Sequence, residues 1–225
     1  MRNLIKTFFT IVLAIAFTNN CAIISHKPKV VPASLLKLSS DVHQALIVHE
    51  ADDWRAVLSA WQREGGTWHL SFKPMQAVIG RNGFARAGEK REGDGQTPTG
   101  IYAIRRAFGY PSTVLTGLMY LQATNNDFWV DDYNSAQYNQ WVEGAPQAKS
   151  FERLKRDDDL YKYAIVIEYN TDPIINGYGS AIFLHIWRDR DHETSGCVAV
   201  SEENILKLLS WLSIDQNPVI ILNPS

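Results

Sequence analysis

Short apolar segments, broken by turns rich in glycine, proline and asparagine, constrain the fold of this 225-residue chain most strongly. Their length and their content of β-branched and aromatic residues are typical of strands rather than helices. Strands are predicted over residues 45–48, 67–72, 76–79, 99–104, 163–169, 181–186 and 219–222. We therefore expect a mainly β domain with a few short helices (α+β), rather than a doubly wound α/β fold.

Three segments have features of short helices. The first starts near Asp52 or Asp53 and stops at Gly65-Gly66, because its apolar residues recur at i, i+3, i+4 and i+7. Those residues are Trp54, Val57, Leu58 and Trp61. The second is a charged stretch over residues 151–161. The third is capped by Ser201, and its expected buried face consists of Ile205, Leu208, Leu209 and Leu212.

Residues 1–20 have the layout of a secretory signal peptide. Arg2 and Lys6 precede an uncharged apolar stretch over residues 7–17, which is too short to span a bilayer comfortably. Cys21 permits a lipid anchor, but the residues before it match a lipidation sequence poorly. A cleaved signal is favoured over a lipid anchor at Cys21, and an uncleaved membrane anchor ranks third. We expect a protein exported to the periplasm or cell envelope.

The rest of the chain reads as a tether over residues 21–44 and one domain over residues 45–225. Within that domain, residues 109–147 are long, aromatic and turn-rich, which is typical of a cap or insertion. The whole chain has 22 Lys+Arg and 24 Asp+Glu, and removing Arg2 and Lys6 leaves 20 and 24. This mildly acidic balance argues against a nucleic-acid partner, which calls for a basic surplus.

Once the signal is removed, the domain keeps one cysteine, Cys197. A lone thiol in an exported protein is buried and inert, paired with another chain, or chemically active. A free thiol has a pKa of about 8.5, so it needs a base or dipole nearby to become a nucleophilic thiolate at neutral pH. His185 ends an apolar strand twelve residues upstream and is a candidate for that base. Gly196 permits a tight turn that leaves the amides of Gly196 and Cys197 free to face an oxyanion.

Two other kinds of site are disfavoured by spacing. The glycine-rich run over residues 92–100 lacks the Gly-Lys-Ser/Thr and the following helix of a phosphate-binding loop, so it reads as a turn before a strand. His185, His192 and Cys197 match no common zinc spacing. We expect neither a metal nor a cofactor.

Three segments in order, residues 92–102, 182–187 and 194–199, resemble the L,D-transpeptidase catalytic domain (YkuD-like) family. Residues 130–132, 138–139, 151–153 and 163–167 resemble one branch of that family. The resemblance implies a mixed β-sandwich or barrel-like catalytic fold and an exported enzyme that acts on peptidoglycan stem peptides. It implies that Cys197 attacks the carbonyl of the third stem residue, expels the terminal D-alanine and passes the acyl group to an amine or to water. His185 falls on the family's base, and Gly196 and Cys197 fall on its oxyanion site.

The chain departs from the usual Ser-His-Gly-Cys-x-Arg pattern of the family. Thr194 and Ser195 occupy the Ser and His positions, and Ala199 occupies the Arg position. Cross-linking to another stem, exchange with a free amine and hydrolysis therefore stay open, with transfer preferred.

Several further residues are candidates for the site, each with a structural alternative. Ser195 is expected to support His185 or the oxyanion site, or simply to cap a turn. Candidate substrate contacts are Trp187, Arg188, Thr194, Asp131, Asp132 and Asn139, with Arg188 suited to pairing a stem carboxylate. Two rival classes are a non-catalytic cell-wall binding module and a papain-like peptidase. The presence of His185 and Cys197 argues against the first, and the order His before Cys argues against the second.

Overall fold

The computed structural model describes residues 31–223. The expected signal peptide, Cys21 and the first part of the tether lie outside the described residues. In residues 31–223, no helix is long and apolar enough to cross a membrane. The helices are α1 (Ala33–Leu36) and α2 (Glu202–Trp211), with a 3-10 turn at Ile214–Gln216. The first strands are β1 (Gln44–Asp52), β2 (Arg55–Glu64), β3 (Thr67–Leu70), β4 (Met75–Val78), β5 (Gly100–Gly109), β6 (Met119–Gln122) and β7 (Asp127–Val130). The others are β8 (Trp141–Glu143), β9 (Phe151–Arg153), β10 (Tyr163–Ile167), β11 (Phe183–Ile186), β12 (Val198–Val200) and β13 (Val219–Leu222).

The main sheet closes on itself into a barrel. Its strand order is β1-β13-β5-β10-β11-β12-β4-β2-β3, and β1 also pairs with β2, which closes the ring and leaves β3 as an extension beside β2. Strand β6 extends the sheet beside β5. Closure removes most unpaired strand edges and leaves an interior to be filled by side chains. The prediction of a mainly β, barrel-like domain is confirmed.

The interior of the barrel is packed with aliphatic side chains. Leu46, Leu58, Ile165, Leu184 and Val198 are fully buried in one cluster. Helix α2 joins the same cluster through the four residues expected on its buried face, Ile205, Leu208, Leu209 and Leu212. Ser201 caps this helix as predicted, because its Oγ accepts a hydrogen bond from the amide of Asn204 at 3.3 Å.

The helix predicted from Asp52 or Asp53 to Gly65-Gly66 is wrong, because this segment forms strand β2. The strand pairs with β1 on one side and with β3 and β4 on the other. Ala56, Leu58 and Ala60 join the barrel interior, whereas Trp61 packs in a separate cluster on the other side. Burial on both faces hides the period of two, so a helical spacing arises by coincidence.

The helix predicted over residues 151–161 is also wrong. Phe151–Arg153 forms β9, which pairs with β7 in a small sheet of order β8-β7-β9. Residues 154–162 continue as turns. The segment 109–147, expected as a cap or insertion, contains β6, β7 and β8. A second apolar cluster, which includes Phe108, Trp129, Tyr161, Phe183 and Cys197, lies between this small sheet and the barrel strands.

Candidate active site

A cleft of about 590 Å³ lies beside the ends of β11 and β12. Eight of the candidate site residues line it: Asp131, His185, Trp187, Arg188, Thr194, Ser195, Gly196 and Cys197. Residues from the small-sheet segment form part of its wall, among them Asp131 and Glu152. The barrel and the small sheet with its adjoining turns therefore build the cleft together.

The thiol of Cys197 is held by main-chain groups. Sγ accepts a hydrogen bond from the amide of Phe183 at 3.3 Å and donates one to the carbonyl of Ala181 at 3.2 Å. The residue is 9% exposed. Burial raises the pKa of the thiol to about 12, and the nearby carboxylate of Glu152 adds to this rise. In the resting molecule Cys197 is therefore a neutral thiol rather than a preformed thiolate.

His185 projects from β11 on the same side as Cys197. It pairs in register with Ala199 of the parallel strand β12, two residues after Cys197, so alternation places the two side chains on one face. Its Nδ1 lies 2.8 Å from the carbonyl of Ile186. A carbonyl only accepts, so we assign the ring proton to Nδ1, which leaves Nε2 as the basic nitrogen.

Burial also keeps the imidazole neutral. His185 is 7% exposed. Desolvation lowers its pKa to about 4, although the hydrogen bond to Ile186 opposes that fall. The cleft therefore holds a neutral thiol beside a neutral imidazole whose Nε2 can accept a proton.

The loop that carries Cys197 is braced by hydroxyl groups. Thr194 Oγ1 donates to the carbonyl of Cys197 at 2.6 Å and accepts from the amide of Gly196 at 3.1 Å. Thr97, which is fully buried, donates to the same carbonyl at 3.4 Å. The Gly196 amide is thus already engaged, and an oxyanion role for it requires an exchange of the Thr194 bond. Sequence reasoning missed Thr97, although its glycine-rich segment was part of the resemblance.

Gly196 is required by close packing as well as by conformation. Its φ is +147°, and a Cβ built there would lie 2.9 Å from the carbonyl oxygen of Gln96. The glycine-rich segment thus packs directly against the nucleophile loop. It acts as a support for Cys197 rather than as a separate binding loop.

Two expected substrate contacts are not among the residues that line the cleft. Asp132 accepts hydrogen bonds from the amides of Asn134 at 3.0 Å and Lys149 at 2.9 Å, which organises a turn. Asn139 is buried, and its Oδ1 accepts from the Trp129 indole at 2.8 Å and the Ala181 amide at 3.1 Å. Through Ala181, Asn139 is linked to the thiol rather than to the open cleft.

The sequence missed a group of charged residues on the cleft wall. They are Arg81, Lys90, Glu92, Glu152 and Arg156, and they lie with Asp131, which was a candidate contact. Lys90 pairs with Asp94 at 2.7 Å, and Arg156 pairs with Asp158 at 2.8 Å. Residues 151–161 were expected as a helix, and that error concealed the placement of Glu152 and Arg156. Within residues 31–223, no group of three or more His, Cys, Asp or Glu could hold a metal ion.

The family profile of the L,D-transpeptidase catalytic domain (YkuD) matches residues 50–221. This chain belongs to that family. The match spans both strand-end residues, His185 and Cys197, and the whole closed sheet from the end of β1 onwards.

Two solved structures of the helical cell shape determining protein Pgp2 from Campylobacter jejuni are similar to this L,D-transpeptidase-family chain. A mutant form is 16% identical over 84% of this chain and 50% of its own, with a TM-score of 0.47. The unmodified form is 15% identical over 81% of this chain and 49% of its own, with a TM-score of 0.43. The chain thus spans about half the length of these structures. No curated protein matches it.

The departures from the usual family pattern have clear positions in this L,D-transpeptidase-family domain. Ser195 is exposed at the mouth of the cleft, where its Oγ accepts from Arg81 at 3.4 Å. Ala199 is fully buried opposite His185 and offers only a methyl group. The side of His185 that faces β12 therefore has no polar side chain at this register position.

Proposed function

We propose that this protein is an exported cysteine acyltransferase that acts on peptidoglycan stem peptides, an L,D-transpeptidase. The observation that carries the proposal is the placement of two residues in one cleft, His185 on β11 and Cys197 directly before the parallel strand β12. Membership of the L,D-transpeptidase family supports the substrate class. Together with the signal peptide expected over residues 1–20, a peptidoglycan substrate favours the periplasm or cell envelope.

The first half-reaction makes a thioester. Nε2 of His185 takes the proton of Cys197 as Sγ attacks the carbonyl of the third stem residue. The amide of Phe183 stays on sulfur and stabilises the developing thiolate. The imidazolium then returns the proton to the amine of the departing D-amino acid. The peptide bond breaks and an acyl-enzyme remains on Cys197.

The second half-reaction releases the acyl group. The amine of a second stem attacks the thioester, His185 removes its proton, and Sγ departs and is reprotonated. Water in place of the amine gives hydrolysis and a shortened stem. The amide of Cys197, with that of Gly196 after exchange of its Thr194 bond, holds the oxyanion of both tetrahedral intermediates.

The wall of the cleft offers a bound substrate both positively and negatively charged side chains. Trp187 is half-buried and offers an aromatic wall, while the exposed Arg188 is suited to a stem carboxylate. Neither a cofactor nor a metal takes part in this chemistry. The partners in this proposal are the donor and acceptor stem peptides, and no nucleic acid is involved. Contact with a membrane is limited to the expected export signal or to a lipid at Cys21.

The test uses the mature protein and purified muropeptides that carry tetrapeptide stems. Mass spectrometry of the products is compared with that of the Cys197→Ala variant. Cross-linked dimers that depend on Cys197 support transfer, and tripeptide monomers alone support hydrolysis and overturn the transferase assignment. Equal product patterns in both proteins overturn enzymatic acyl transfer and favour a non-catalytic binding module.

A further inference from the structure

One hydrogen bond, through Nδ1, holds the ring of His185, and the backbone of Leu160 also lies near it. The Nδ1 bond to Ile186 fixes that nitrogen, but one bond still permits the ring to tilt about it. Its partner across β12 is Ala199, whose methyl group makes no hydrogen bond. A base needs its lone pair aimed at the proton it accepts, so a second constraint on the ring has chemical value.

Tyr161 supplies a contact of that kind. Its ring packs against the imidazole of His185 with centroids 5.1 Å apart and planes at 75°. Tyr161 is 5% exposed and also packs edge-to-face on Phe183, at 5.5 Å, and Phe108, at 5.9 Å. The phenol ring is therefore enclosed on several sides and lies against the base.

The hydroxyl of Tyr161 is anchored as well. It donates to Oε2 of Glu152 at 2.6 Å. Hydrogen bonds to a carboxylate are shorter and stronger than those between neutral groups. The anchor comes from β9, so it joins the small sheet to the base on β11.

The charge around Glu152 makes a purely stabilising role a poor explanation. Burial raises the pKa of Glu152, and the carboxylates of Asp131 and Glu92 raise it further, while Arg156 opposes them. Arg156 is itself bound to Asp158 through two hydrogen bonds of 2.8 Å. A desolvated carboxyl among other carboxylates costs stability unless a specific partner needs it.

We propose that Tyr161, held by Glu152, is a positioning residue that fixes the imidazole of His185 in the orientation needed for proton transfer. This inference rests on the proposed function for its kinetic consequence, but the ring orientation itself is measurable without substrate. Neither residue was singled out as functional from the sequence, because the segment that contains both was predicted as a helix.

The experiment compares four variants in the acyl-transfer assay. Tyr161→Phe keeps the ring and removes the anchor, and we expect kcat to fall about tenfold with KM changed less than about twofold. Glu152→Ala removes the acceptor and should fall as far, and combining the two changes should cost little more. Glu152→Gln keeps an accepting oxygen without charge and should restore kcat to within about threefold of the wild-type protein.

The matched control is Tyr120→Phe. Tyr120 donates its hydroxyl to the carbonyl of Pro111 at 2.7 Å and does not line the cleft. It loses a phenol hydrogen bond of the same length class without touching His185. We expect its kcat and KM to equal those of the wild-type protein.

The substrate-free measurement is the orientation of the His185 ring, read by NMR from nuclear Overhauser contacts of its carbon-bound protons and assigned with His185→Gln. We expect one orientation in the wild-type protein and in Tyr120→Phe, and an average over several in Tyr161→Phe. A single, unchanged orientation in Tyr161→Phe overturns the inference, as does an averaged one with unchanged kcat. If the wild-type protein transfers no acyl group, the proposed function fails and the ring orientation alone decides whether Tyr161 positions His185.

Discussion

At the scale of single residues, burial decides the chemistry of the cleft more than any charged neighbour does. It raises the pKa of Cys197 to about 12 and lowers that of His185 to about 4, so both are neutral at pH 7. A buried ion pair at rest would need strong compensation. The account therefore has the proton move only when a substrate carbonyl is in place.

A thiol held in its neutral form should react slowly with alkylating agents. We expect iodoacetamide to modify Cys197 more slowly at pH 8 than it modifies free cysteine. The rate should keep rising well above pH 9, because the thiolate of Cys197 forms only towards pH 12. Mass spectrometry of the labelled cysteine over pH 7 to 11 measures this. A plateau below pH 8 would show a preformed thiolate and contradict the neutral resting pair.

The lowered pKa of His185 should appear as a loss of stability in acid. The imidazole protonates near pH 6.5 in the unfolded chain but only near pH 4 in the folded one. Between these values the unfolded state binds the extra proton, so the free energy of unfolding is fully present above pH 6.5 and falls towards pH 4. From pH 7 to pH 4, we expect the free energy of unfolding of the wild-type protein to fall by about 3 kcal/mol more than that of His185→Gln.

Urea unfolding of both proteins at pH 7, 5.5 and 4 gives the comparison. Carboxylates titrate in both proteins, so only the difference between the two slopes belongs to His185. Parallel curves of unfolding free energy against pH would mean that His185 has the pKa of a solvated imidazole. That result would contradict the account, which rests on an imidazole that is only 7% exposed.

At the scale of elements, the nucleophile depends on how the loop before β12 fits against the glycine-rich segment before β5. Gly196→Ala adds a Cβ that meets the backbone of Gln96, at a φ of +147° that L side chains rarely adopt. Backbone cannot move aside as a side chain can. We expect acyl transfer to fall at least about a hundredfold and stability to fall by about 1–3 kcal/mol.

Gly144→Ala is the matched control for that substitution. Its φ is also positive, at +87°, but nothing lies within 4 Å of the added Cβ. It should lose stability through backbone strain alone and keep its acyl-transfer rate. Equal loss of activity in both variants would mean that the fit against Gln96 is unimportant.

The elements also show how far the sequence can be interpreted. The final strand and helix α2 were predicted well, since apolar periodicity and the Ser201 cap agree with the fold there. Strand β2 was not, because its two faces are buried in different clusters and the helical spacing of Trp54 to Trp61 has no local contradiction. Only pairing with β1, β3 and β4 makes this segment a strand, and such pairing cannot be read from the local sequence.

The site was foreseen in the same uneven way. Cys197, His185 and the residues next to them in sequence line the cleft, because the strands that carry them are adjacent and parallel. Asn139 lies elsewhere, bound to Trp129 and Ala181. Tyr161 and Glu152 reach the site only through the pairing of β9 with β7, and no spacing in the sequence reports that.

At the scale of the whole molecule, a closed barrel positions the nucleophile and the base, and a small separate sheet supplies part of the wall around them. This division explains why the cleft contains charged residues from distant parts of the chain. It places His185 on strand β11 and Cys197 directly before β12, in a loop whose backbone Thr97 and Thr194 brace. The central claim is that this pair transfers an acyl group through Cys197.

The most direct test of that claim is the intact mass of the mature protein, acid-quenched at intervals after mixing with a tetrapeptide stem. The account predicts a transient adduct equal to the tripeptide acyl group on Cys197, absent in Cys197→Ala and formed far more slowly in His185→Gln. Consumption of the donor at equal rates by wild type and Cys197→Ala would contradict the claim. So would a folded wild-type protein that forms no adduct and consumes no donor.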